Sequence, residues 1–247
     1  MDRYSSLCDD FYVNMSLNTE MELASNRETI LHYFERLQKQ YPSMTNFYCR
    51  DKRDFVLEEE KDGGRYRWCT VENRRICSGH VNPDSIEQVM DQHRLVLESV
   101  PYMLSISPLD CESIDLLYGF DFTYRGNHSQ LVSEALGISP ALEKLVDLPG
   151  SRTISNEPSI TLSLDENCRT QCRVSIETRT NAFHVRTGEF PEEQLSVYVS
   201  ARQYGSLLPG QTYTDALDKL SHVVSDVVEN YISESVLAPL QRTIAMK

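Results

Sequence analysis

Long apolar runs are missing from this chain of 247 residues. None approaches the roughly 20 residues of a spanning helix, and Met1-Asp2-Arg3-Tyr4-Ser5-Ser6 lacks the basic start and apolar core of a signal peptide. The expectation is a cytoplasmic protein with no membrane partner. Basic residues are also in short supply: 24 Lys and Arg face 37 Asp and Glu, for a formal charge of −13. Affinity for phosphate backbones comes mostly from clustered Lys and Arg, so this balance argues against a nucleic-acid partner. Acidic runs such as Glu58-Glu59-Glu60 are read as solvated faces.

Chemical motifs are equally scarce. There is no Gly-x-Ser-x-Gly elbow, no Walker sequence and no dinucleotide fingerprint. Asp62-Gly63-Gly64-Arg65 is a hairpin signal rather than a phosphate cradle, because no helix follows it. The 7 cysteines are odd in number and scattered, the pattern of reduced thiols. Cys168 and Cys172 lack the second short-spaced pair of a structural zinc site. No metal and no cofactor is implied. Of the 6 histidines, His32, His93 and His222 fall within helical stretches as surface or boundary residues. His80 and His128 stand where a strand hands over to a helix, a position that often faces a cleft.

What the chain does have is period-two alternation, the mark of strands with one buried and one wet face. Phe11, Val13, Met15 and Leu17 form a first such run. Ser25 and Glu28 then make a capping box for a helix carrying Ile30, Phe34, Leu37 and Tyr41 on one stripe. A meander of short strands fills Phe47 to His80, and a second helix opens at Asn82-Pro83-Asp84 and stops near Pro101. The order then repeats. An aromatic strand holds Tyr118, Phe120, Phe122 and Tyr124, and a short helix ends at Gly137. Ser139-Pro140 opens another short helix. Three alternating runs follow, with Ile160, Leu162 and Leu164, then Val174 and Ile176, then Leu195, Val197, Val199 and Ala201 as their buried residues. A parity change before Phe183 predicts a bulge or break at Thr180-Asn181-Ala182. The last helix starts at Thr214-Asp215, turns Tyr231 inward and ends near Pro239.

The expected fold is α+β, with helices packed on one face of each of two antiparallel sheets. Two similar halves, 9–104 and 112–238, are joined by a connector at 105–111 and pack closely as a structural duplication. The wet face of the second half carries the candidate ligand residues. Arg173, Glu177 and Arg179 share one side of a strand, Asp121 and Arg125 a side of the aromatic strand, and Tyr198 and Arg202 a side of the last. His128 lies close by in sequence. Three readings compete for this face: exposed cross-strand ion pairs, a polar network buried between two packed sheets, or a seat for an anion. With no nucleophile paired to a base, the expectation is a non-catalytic binding or adaptor protein, acting through its sheet faces or as a homodimer, whose partner is a protein or a small anion. The alternative is an enzyme that holds a small anionic substrate on these arginines, with His128 or Glu177 as proton carrier.

Overall fold

The computed structural model describes residues 4, 6–23, 26–51 and 53–247. β1 (Asp10–Thr19) follows its alternation, with Phe11, Val13, Met15 and Leu17 buried and the even-numbered residues half-exposed. α1 (Arg27–Gln40) is capped by Asn26, whose side chain accepts from the Thr29 amide. Ser25, the expected cap, lies outside the described residues. β2 (Asn46–Arg50), β3 (Asp54–Glu58), β4 (Tyr66–Val71) and β5 (Arg75–Val81) form the meander. α2 (Ile86–Met103) begins later than the Pro83 signal, with Ser85 as its cap, because Asn82 turns the chain at φ 49°. It also runs two residues past Pro101.

The second series is β6 (Cys111–Arg125), α3 (His128–Leu136), β7 (Ser159–Ser163), β8 (Thr170–Glu177), α4 (Ala182–Thr187) and β9 (Glu192–Tyr204). The helix expected at Ser139-Pro140 is only a 3₁₀ turn at Glu143–Leu145. The parity change in the sequence marks a true break. β8 stops at Glu177, and Asn181 caps α4 by accepting from the Phe183 and His184 amides. α5 (Tyr213–Val227) then passes into a π-helical segment, Val228–Leu237, and into α6 (Ala238–Ala245). The wide turns rotate the inward stripe onto Val224, Val228, Ile232 and Leu237, leaving Tyr231 63% exposed. Pro239 does not end the helix, because it sits in the first turn of α6, after the π register has already reset the hydrogen bonds.

Nine strands among the described residues make a single antiparallel sheet, in the order β2-β3-β4-β5-β1-β6-β9-β8-β7. The expectation of one sheet per half is therefore corrected: β1 and β6 pair with each other at the centre. This also removes a polar network buried between two facing sheets. Phe11 packs against Tyr118 and Phe120 across that central pair, with ring centroids 5.6 and 5.2 Å apart. α2 rests on β1 and β5, α5 on β6 and β9, and Arg94 of α2 meets Asp218 of α5 at 2.9 Å. No helix is long and apolar enough to cross a membrane among the described residues.

Candidate functional site

Strand parity builds the site. Since the odd residues of β1 enter the core, the even ones, Asp10 through Ser16, face the other side. Cross-strand register carries that face from β2 to β7. The surface is concave, a groove of about 1100 Å³ lined by residues of all nine described strands.

Its floor is aromatic over bare backbone. Tyr12 is opposite Gly119, and Gly119 in turn opposite Tyr198. Trp68 is opposite Gly79, which is opposite Asn14. A Cβ placed on Gly119 would lie 2.2 Å from the Tyr12 ring, and one on Gly79 would lie 2.3 Å from the Trp68 ring. Both rings therefore lie directly over glycine, in space that any side chain would fill. The Tyr12 hydroxyl donates to Asp121 at 3.3 Å, and burial raises its pKa, so it stays a neutral donor.

The groove's charges are mostly spent on one another. Lys61 pairs with Glu58 at 2.9 Å and Arg75 with Glu72 at 2.7 Å. Arg202 binds Asp115 and also donates to the Tyr204 hydroxyl at 3.1 Å. Arg50 and Arg173 line the groove with no ion pair or side-chain hydrogen bond among the described residues. Asp115 and Asp121 are nearly buried, and desolvation raises both carboxyl pKa values against the pull of their donors. Asp10 lies directly opposite Asp121 and raises it further, while Asp10 itself accepts from Asn82 at 2.7 Å and Gln194 at 3.1 Å.

Of the residues singled out from sequence, Asp121, Arg173, Glu177, Tyr198 and Arg202 come together in the groove. Arg179 lies just past the end of β8, 3.6 Å from Glu177 and 3.4 Å from the Ser196 hydroxyl. Arg125 is exposed at the far end of β6 opposite Glu192, outside the concavity. His128 is 2% exposed and faces no cleft. Its Nδ1 accepts the Arg179 amide at 3.3 Å, which places the proton on Nε2, 3.1 Å from the Tyr124 carbonyl. Burial lowers its pKa, and with both nitrogens engaged it ties the end of β8 to β6. His80 and His93 are fully buried on the core side, correcting the cleft and boundary positions expected for them.

Sequence reasoning passed over Tyr12, Trp68, Asp10 and Asp115. The available signal was glycine inside strand runs at Gly79 and Gly119, where close approach of another group is the usual reason. Compared with known families and curated proteins, the chain matches no family model and no curated sequence.

Proposed function

We propose that this is a non-catalytic binding or adaptor protein, and that its ligand lies in the concave face of the sheet with an anionic group at Arg173. The observation that carries this is the contrast between Arg173 and the other basic residues of the groove, of which only Arg50, at the opposite edge of the sheet, is also unpaired among the described residues. Lys61, Arg75 and Arg202 are each held by a carboxylate, whereas Arg173 projects onto the same surface unpaired. A guanidinium presents a planar fork that matches carboxylate or phosphate at two points. Further along the same face, toward the other edge of the sheet, the Tyr12 and Trp68 rings offer flat apolar area at little cost in side-chain entropy, because the glycines already seat them.

An enzymatic reading has one support, the nearly buried Asp121 lining the groove directly opposite Asp10, whose carboxyl pKa is raised by desolvation and which would be the proton carrier for an anionic substrate. His128 no longer supports it, and Glu177 is engaged by Arg179. The halves 9–104 and 112–238 are proposed as a structural duplication with helices on one face. In each, the last meander strand returns beside the first, β5 to β1 and β9 to β6. A cytoplasmic setting fits the seven free cysteines.

The test is thermal shift with sulfate, phosphate and small carboxylates on the parent protein and on Arg173→Ala. The parent should be stabilised, weakly and less so at high salt, and the variant should lose most of that response. Equal responses would leave Arg173 as ordinary surface charge.

A further inference from the structure

The two edges of the sheet differ. At one edge β2 carries Arg50, and Phe47 is packed against Phe34 at a centroid distance of 5.8 Å. At the other edge β7 reads Ser-Ile-Thr-Leu-Ser, with no charge, no proline and no bulge within it. Natural edge strands are usually protected by such features, because an open row of amides and carbonyls recruits another strand. Beside this open row, Ile160, Leu162 and Leu164 are 55%, 51% and 45% exposed. The sequence pattern makes them one apolar face, and the structure leaves that face uncovered.

We propose that β7 pairs with β7 of a second copy of this chain, antiparallel about a two-fold axis at Leu162. Backbone geometry fixes which groups are free. Leu164 donates to the Thr170 carbonyl at 2.8 Å, and Ile176 donates to Pro158 at 3.0 Å. In an antiparallel ladder the bonded residues alternate, so Ile160 and Leu162 bond to β8 while Ser159, Thr161 and Ser163 point their amides and carbonyls outward.

Registers that keep side chains on matching faces differ by two residues, and charge chooses among them. With the axis at Leu162, Leu162 faces its own copy and Ile160 faces Leu164. Thr161 then bonds Ser163, and Asp165 comes opposite Ser159. With the axis at Thr161, Glu157 would oppose Asp165 and Leu164 would oppose Pro158. Like charges directly opposite are destabilising, so the first register is selected. An uncharged strand also suits self-association in a chain of formal charge −13, since most other surfaces of two copies repel. The pairing is isologous and closes at two subunits.

Light scattering coupled to gel filtration at tens of micromolar should give twice the 28.4 kDa chain mass. Thr161→Pro removes an outward amide without touching the β8 ladder, and Leu162→Lys sets like charges on the axis. Each should give a folded monomer, with circular dichroism and melting behaviour of a native chain. In a background of Cys49→Ser, Cys168→Ser and Cys172→Ala, the last because Cys172 lies directly opposite Leu162 on β8, Leu162→Cys should oxidise to a covalent dimer. Non-bonded antiparallel pairs bring Cα atoms to about 4.5 Å, within disulfide range. Thr161→Cys, displaced from its own copy, should not cross-link. A monomeric parent protein, or a dimer indifferent to both Thr161→Pro and Leu162→Lys, would overturn the proposal. Cross-linking through Thr161→Cys instead of Leu162→Cys would overturn the register.

Discussion

Asp115 and Arg202 stand opposite each other on β6 and β9, and the guanidinium Nε donates to the carboxylate Oδ1 at the groove floor. The acid is nearly buried and the arginine is half-exposed, so the two partners are not equivalent. Removing the base leaves a desolvated carboxylate with the Asn18 side-chain amide, 2.9 Å away, as its remaining hydrogen-bond donor among the described residues. Arg202→Ala should cost about 1–2 kcal/mol, after discounting for solvent around the guanidinium. Asp115→Asn should do something different. It frees Arg202 next to Arg173, and the two are diagonal neighbours with backbones roughly 7–8 Å apart. Anion-induced stabilisation should then exceed that of the parent protein. Urea midpoints check the first outcome and thermal shift the second. An Asp115→Asn response no larger than the parent's would remove Arg202 from the anion seat.

His80 and His93 supply a pH dependence of definite sign. Burial holds their pKa values down to about 4 and about 3, with Arg67 opposing protonation of His80 and His80 opposing that of His93. Glu59 and Asp84 pull His80 the other way, and less strongly. The unfolded chain takes up these protons near pH 6.5 and the folded chain does not, so stability falls as pH drops below 6.5. The loss should reach about 2 kcal/mol for each histidine by pH 5. Asp115 and Asp121, raised in the fold, act in the opposite sense, and only as pH enters the carboxylate range. Urea unfolding of the parent and of His80→Gln/His93→Gln, at pH 7.5 and 5, tests this. Identical losses in both proteins would show that other groups control the acid limb.

Much of this architecture was legible because alternation is a local property. Phe11 to Leu17 and Leu195 to Ala201 are buried on the side their parity required. β7 shows the limit of that inference. Ile160, Leu162 and Leu164 alternate just as clearly, yet they stay about half-exposed among the described residues, since pattern names a face and topology decides what meets it. Joining β1 to β6 was beyond sequence reading for the same reason: pairing between distant strands leaves no local trace. The π segment misled in another way. Tyr231 was placed inward by a turn of 3.6 residues that the helix does not keep there. In the groove, Arg173 and Arg202 were visible as wet-face arginines, but the Asp115 that occupies Arg202 was not, because register sets that contact.

The glycine seats give a mutational signature of their own. Gly79→Ala puts a methyl group where the Trp68 ring lies, and Gly119→Ala does the same to Tyr12. Each ring must lift away, at a cost of about 1–3 kcal/mol. The chain has 1 tryptophan, so its fluorescence reports on the groove directly. Gly79→Ala should shift the emission while Gly119→Ala leaves it nearly unchanged. Adding Trp68→Ala to Gly79→Ala should destabilise by less than the sum of the single changes, since the second removes what the first displaces. Full additivity would mean that the ring is not held over Gly79.

The two halves depend on each other through the central strand pair. β1 and β6 share register from Asp10↔Asp121 to Asn18↔Ser113, and separating them exposes two central strand edges at once. Phe11 would leave Tyr118 and Phe120, and α2 would leave α5 along with the Arg94–Asp218 ion pair. Each half would keep a meander and its helices but lose one side of a shared core, which for small units leaves marginal stability. Co-expressed fragments 1–107 and 108–247 should therefore co-purify through a tag on either one. Each expressed alone should be insoluble or bind a hydrophobic dye. The cut falls between Ser107 and Pro108, at the start of a 3₁₀ turn, so no strand or α-helix is severed. Two fragments that were separately monomeric and as stable as the whole chain would contradict a closely packed duplication. Co-purification abolished by Phe120→Asp, a buried residue of the central pair, would locate the association at β1 and β6.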